Sequence, residues 1–280
     1  MIFQPATPLS GVAGLRFLER TQATQQETFD KSPVIARNVA NFHEKIGSIL
    51  TAEELVADRQ LLSVALGAFG LDDEIDKKFF IRKILEEGTE NNDALAMRFT
   101  DPRYRRFSAA FGFGSSLGPR TGEPDFAQRI TDAYKTRQFE IAVGNNDTNL
   151  RLAMGFKREI SEIVASEASD ETKWFQILGS EPIRAVFDGG FGLPTQFKLI
   201  DIDKQVETLQ ERTGKLFGSS SPSVFANSEN VDALLNRFLA RAEAESGPSG
   251  NTPGFAALSL LQNASSFGAS ARINLILSNG

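Results

Sequence analysis

Apolar residues fall into helical register along most of the chain. Ile35, Val39, Phe42, Ile46 and Ile49 follow one another at spacings of 4, 3, 4 and 3, which places them on one face of a helix. Ser32 and Pro33 precede them, an N-cap residue and a proline at the first helical position, where its missing N–H costs no hydrogen bond. A second helix is predicted to open at Thr51, with Glu54 three residues on completing a capping box, and to run through Leu55, Leu62, Ala65 and Phe69 to Gly70. A third runs from Asp72 through Ile75, Phe79, Ile84 and Leu85 to Gly88. A fourth starts at Asp101-Pro102, turns Tyr104, Phe107 and Phe111 inward, and stops at Gly112.

Beyond a Gly- and Pro-rich loop over 112–124, a helix over 125–143 carries Phe126, Ile130, Ala133, Arg137 and Ile141 in one stripe. Further helices are read over 148–165, 171–178, 181–188, 202–217 and 231–245. The stretch 12–29 reads as a weak helix, because Val12, Leu15 and Leu18 give way to polar residues from Thr21 to Gln26. Period-two alternation is nowhere sustained, so the expected fold is all-α, a multi-helix array. The segments 218–223 and 246–254, rich in Ser, Gly and Pro, read as flexible connectors that set off the last quarter of the chain. The organisation expected is an N-terminal extension over 1–31, helical halves over 32–124 and 125–218, and a linker with C-terminal helices over 219–280.

The idea of two halves comes from an internal echo. Pro102, Phe107 and Phe111-Gly112-Phe113 recur as Pro182, Phe187 and Phe191-Gly192-Leu193, each offset by 80. Phe69-Gly70-Leu71 is a third ending of the same kind. Good helix punctuation recurring by chance explains the pattern about as well as a diverged duplication does.

Composition narrows the chemistry. The chain has 23 Phe against 2 Tyr and 1 Trp, so phenylalanine is the main core filler. A net charge of −6 without a basic tail argues against nucleic acid and anionic membranes as partners. With no Cys and a single His, thiolate metal sites, disulfides and multi-histidine clusters are excluded, and no cofactor is implied. The opening residues lack a basic stretch and include Pro5 and Pro8, so no cleaved Sec-type signal is expected. No apolar run reaches the roughly 20 residues that span a bilayer.

Candidate catalytic groups are few. His43 lies one position past the buried stripe of its helix and fits a surface histidine better than a base, since no nucleophile or orienting acid accompanies it. Asp72-Asp73-Glu74 with Asp76 lacks the alternation and central glycine of a calcium loop and fits a helix N-terminus. The glycines of 111–118 follow no strand and precede no Lys-Ser or Lys-Thr, so a phosphate cradle is unsupported. A carboxylate pair for glycoside cleavage could come from the many acids, but no pair stands out.

Two features suggest partner contacts. Arg98, Arg103, Arg105 and Arg106 form the densest basic cluster, either a docking face for an acidic partner or a solvated helix face neutralised by acids such as Asp101 and Glu86. Ala257, Leu260, Ala264, Phe267 and Ala271 fall at spacings of 3, 4, 3 and 4, a seam of small residues that suits either packing into another subunit or folding onto the chain's own core.

Pro33 through Phe42, Asp58, Leu61-Leu62, Ala65-Leu66, Ala68 through Leu71, Phe80 through Leu85, Asp101 through Arg105 and Ala110-Phe111 together resemble an uncharacterised bacterial family, a domain of unknown function whose members often lie among flagellar genes. The likeness is clear over about 32–113 and weaker in the echo beyond, where Glu181 replaces Asp101 and Ile183 replaces Tyr104. It brings no catalytic residues. It implies a structural or assembly protein of the flagellum acting on other proteins, either cytoplasmic or exported without a cleaved signal, with self-association open. A cytoplasmic adaptor or export chaperone for a flagellar client is the alternative, and a wall-cutting enzyme a more distant one. The chain departs from axial proteins in lacking their Asn-rich N-terminal motif.

Overall fold

The computed structural model describes residues 3–99 and 101–246. Among them are thirteen α-helices and no strand. They are α1 (Gly11–Asp30), α2 (Pro33–Lys45), α3 (Ala52–Ala57), α4 (Arg59–Phe69), α5 (Lys78–Glu87), α6 (Leu95–Arg98), α7 (Pro102–Phe111), α8 (Phe126–Gly144), α9 (Thr148–Ala165), α10 (Asp170–Gly179), α11 (Glu181–Phe191), α12 (Ile202–Phe217) and α13 (Ser228–Ser246). Short 3-10 turns stand at Ile46–Ser48, Asp72–Glu74, Thr195–Leu199 and Pro222–Ala226.

The stretch expected to form one helix over 51–70 is two. Thr51 and Glu54 do make the capping box, but α3 stops at Ala57 and Asp58 takes an extended conformation. Its carboxylate accepts from the N–H groups of Gln60 and Leu61 and starts a new helix. The restart lets α4 run through the interior, with Leu61, Leu62, Val64, Ala65, Leu66, Gly67 and Ala68 all buried. Its main neighbours are α8, α2 and α3. In the second part of the fold α9 holds the same position, packed on α8, α11, α13, α1 and α10. A single apolar cluster runs from Leu15 in α1 to Leu239 in α13.

Other readings shift with the packing. Phe79 stands 73% exposed, because the chain from Asp72 to Lys77 is a 3-10 turn and irregular backbone that breaks the helical count from Ile75. The buried face of α8 holds Phe126, Ile130, Tyr134, Phe139 and Val143, with Ala133, Arg137 and Ile141 only part-buried. The weak N-terminal helix is a 20-residue element that buries Leu15, Leu18 and Phe29 against α8, α9, α13 and α2. The segment 218–223 is fixed: the Trp174 indole donates to the Ser220 carbonyl at 3.1 Å, and Phe225 just beyond is buried. Helix α13 packs along α11, where Gly189 and Gly190 admit Phe238 and Leu234.

All three Phe-Gly endings place glycine at positive φ, at Gly70, Gly112 and Gly192. Their hydrogen bonds pair them differently from the sequence echo. Leu71 N–H reaches the Leu66 carbonyl at 3.0 Å and Leu193 N–H the Asp188 carbonyl at 2.8 Å, the six-residue closure of a Schellman motif. Gly112 N–H bonds to the Ser108 carbonyl at 3.0 Å without such a closure from Phe113, and the Gly112 carbonyl accepts from Ser115 N–H. An arginine from a later helix supports each Schellman end, Arg137 Nε of α8 donating to the Ala68 carbonyl and Arg237 Nε of α13 to the Gly190 carbonyl. The cap of α11 therefore resembles that of α4 more than that of α7.

Candidate functional site

Where α7, α8 and α9 meet the end of α4, a set of charges is folded inward. On α9, Glu159 follows Phe156 and precedes Ile160 and Ile163 on the apolar face, and it is buried. Arg137 Nη1 lies 3.2 Å from Glu159 Oε1, and Ser180 Oγ donates to Oε2 at 3.2 Å. Arg158 grips Glu140 with two hydrogen bonds of 3.0 and 2.9 Å and reaches Glu159 at 3.3 Å. Burial alone would raise the Glu159 carboxyl; Arg158, Arg137 and Arg106 outweigh it and hold the group below the ordinary glutamate range. Burial, and then the like charge of Arg158, pull Arg137 down from its usual value, although a guanidinium stays protonated throughout.

This junction absorbs half of the basic cluster. Arg103 closes on both oxygens of Asp101 and donates to the Gly70 carbonyl, so it joins Arg137 in satisfying the end of α4. Arg106 pairs with Glu162 at 3.2 Å. Four arginines, Arg103, Arg106, Arg137 and Arg158, thus meet four acids, Asp101, Glu140, Glu159 and Glu162. The charges cancel, leaving no surplus with which to hold an anion. Glu86, expected to help neutralise the cluster, instead pairs with Arg82. Sequence reasoning missed Glu140, Arg158 and Glu159; the available signal was an acid and an arginine, Glu159 and Arg137, standing within apolar stripes.

The remaining arginines are different. Arg98 and Arg105 are exposed, and neither has an acidic partner among the described residues. Arg105 lines a cavity of about 230 Å³ between α6, α7 and α10, together with Ala96, Met97, Phe99, Pro102, Thr172, Phe175 and Gln176. Arg98 lies between two lining residues. Phe99 is 39% exposed and forms a triangle with Phe80 and Tyr104, centroids 5.1 to 5.5 Å apart. Burial, with Glu74 and Asp101 nearby, pushes the Tyr104 phenol up to about 12. The seam of Ala257, Leu260, Ala264, Phe267 and Ala271 lies outside the described residues.

Other candidate chemistry is taken up by the fold. His43 Nε2 meets Thr131 Oγ1 at 3.1 Å, and that hydroxyl also donates to the Ala127 carbonyl. Asp72 accepts from Gln138, Glu74 pairs with Lys77, and Asp76 with Arg59. No group of three metal-binding side chains occurs among the described residues. The glycine loop after α7 does hold an anion, its own Glu90, which accepts from Ser115 Oγ and from Ser116 N–H and Oγ. Of the carboxyls with a marked shift, Asp188 is the one raised, by burial that Arg184 only partly offsets. None of the described helices is long and apolar enough to cross a membrane.

Comparison with known proteins agrees with this fold. A crystal structure of a protein from Agrobacterium tumefaciens, from a structural genomics programme, superposes with a TM-score of 0.69 at 25% identity, covering 88% of this chain and 100% of that one. No curated protein matches. A family model described as "Protein of unknown function (DUF1217)" matches residues 68–231, from the end of α4 into α13, a span that begins later and runs further than the stretch carrying the sequence resemblance. The chain belongs to that family of unknown function.

Proposed function

We propose that this protein is a non-enzymatic structural or assembly component that acts through protein–protein contacts, with the bacterial flagellum as its setting. The observation that carries the reading is a contrast. The inward-turned charges at the α7–α9 junction meet counter-charges, whereas aromatic surface stands exposed on α5 at Phe79 (73%) and after α6 at Phe99 (39%), and Arg98 and Arg105 have no acidic partner among the described residues. Catalysis needs groups poised to change state; assembly needs desolvatable surface with a charged rim. The flagellar setting rests on the sequence resemblance alone.

The test follows the protein by immunoblot through cytoplasm, purified flagellar bases and medium, in cells with a working export gate and in cells without one. Export-dependent appearance in the bases or medium supports an assembly role outside the cytoplasm. Retention in the cytoplasm of both strains, in a stable complex, turns the reading to an adaptor or export chaperone. Retention as a free monomer defeats both forms.

A further inference from the structure

We infer that the socket between α6, α7 and α10 receives an apolar side chain of a partner protein whose neighbouring residues are acidic. This rests on the assembly reading and gives it a place and a chemistry. The base of the socket is built from the buried Ala96 and Pro102, and its walls from Met97, Phe99 and Phe175. These walls are apolar and adaptable, since methionine and phenylalanine offer dispersion contact without a polar group to satisfy. A volume of about 230 Å³ suits one or two side chains rather than a folded domain.

Charge selects the occupant. Arg103 and Arg106, from the same turn of α7 as Arg105, are spent on Asp101 and Glu162, but Arg105 at the wall and Arg98 between Met97 and Phe99 have no acid among the described residues. The nearest acids on the facing helix are in its first turn. Thr172, Phe175 and Gln176 present the lining face of α10; Glu171 stands about a quarter turn from it and Asp170 on the far side. On a protein of net charge −6, an apolar socket beside two guanidinium groups that meet no acid among the described residues is a local exception that favours carboxylates next to the inserted residue.

Fluorescence anisotropy on the full chain tests this with three labelled decapeptides: a Phe-Leu core flanked by glutamates, the same core flanked by lysines, and a Ser-Ser core flanked by glutamates. Saturable binding is expected for the first alone. It should weaken at least tenfold in the double variant Arg98→Glu, Arg105→Glu and in Met97→Asp, and stay unchanged in Arg59→Glu, a surface charge elsewhere. Far-UV circular dichroism checks that each variant is folded. No saturable binding of the glutamate-flanked peptide, equal binding of the lysine-flanked one, or undiminished binding by the double variant would overturn the socket. Its failure alongside export-dependent appearance in flagellar bases would sink the socket alone; a free cytoplasmic monomer would sink the assembly reading beneath it.

Discussion

Glu159 shows what one buried carboxylate does to the stability of this fold. Replacing it with glutamine keeps the shape but leaves Arg137 without its counter-charge, and breaking a buried pair in this way costs about 3–5 kcal/mol. Urea unfolding at pH 7 should show a loss of that size for Glu159→Gln. The same pair sets a pH dependence. Because the folded carboxyl lies below its ordinary value of 4.5, its contribution is complete above that value and is lost as pH falls through the lower folded value. The gap between wild type and Glu159→Gln should therefore be constant from pH 7 to pH 5 and narrow below. A gap independent of pH down to 3 would show that the pair contributes nothing electrostatic. The two tyrosines report from the alkaline side: burial raises Tyr134 despite its bond from Asn38, and Tyr104 is pushed up to about 12. Absorbance at 295 nm should show less tyrosinate near pH 10 in folded protein than in urea, where both phenols titrate normally. At this scale the sequence was a poor guide. It brought Arg98, Arg103, Arg105 and Arg106 together as one feature, yet two turn inward and two do not, because the acids that decide it, Asp101 and Glu162, are two and 56 residues away from their partners.

Elements were far more legible, because local chemistry sets their ends. Thr51 with Glu54, and Gly70, Gly112 and Gly192 after their helices, all act as the sequence suggests. Two of the differences share one origin: apolar spacing continues across a break in the helix, at Asp58 and again between Asp72 and Lys77. Leu55 and Leu62 fit one stripe, which hides the capping carboxylate of Asp58 between them. Helix pairing was also invisible, since it depends on where backbones approach closely. On α11, a Cβ at Gly190 would lie 2.6 Å from Leu234 Cδ1 and 3.2 Å from the Leu234 carbonyl oxygen of α13. Gly190→Ala should cost about 1–3 kcal/mol through overpacking, despite alanine's better helix propensity. Gly47, with nothing within 4 Å of its would-be Cβ and no positive φ, is the control. Gly47→Ala should stabilise by about 0.4–1 kcal/mol by restricting the unfolded chain. Thermal melts of the two variants should move in opposite directions.

For the whole molecule, the question is whether α13 is an attachment or a part of the core. The connector at 218–223 suggested an attachment. The packing argues the reverse, because α13 contributes Val231, Leu234, Leu235, Phe238 and Leu239 to the same apolar cluster as α1, and lies against α11, α9 and α1 together. Among the described residues α13 is the most extensive neighbour of α11, ahead of α9 and α10. Trp174 makes this measurable. It is the one tryptophan, fully buried, with its ring 5.7 Å from Phe187 of α11 and its N–H on the Ser220 carbonyl just before α13. A chain ending at Asn227 would expose the α11 face and loosen the turn that holds Phe225. Its Trp174 emission should shift to the red, and its unfolding should lose cooperativity throughout, including the α4 to α8 packing more than one helix away. A chain ending at Ser246 keeps every contact just named and should retain the blue emission of the full protein. If the shorter chain also kept that emission and a sharp transition, α13 would be an appendage after all, and the single apolar cluster would have to be understood as two cores in contact.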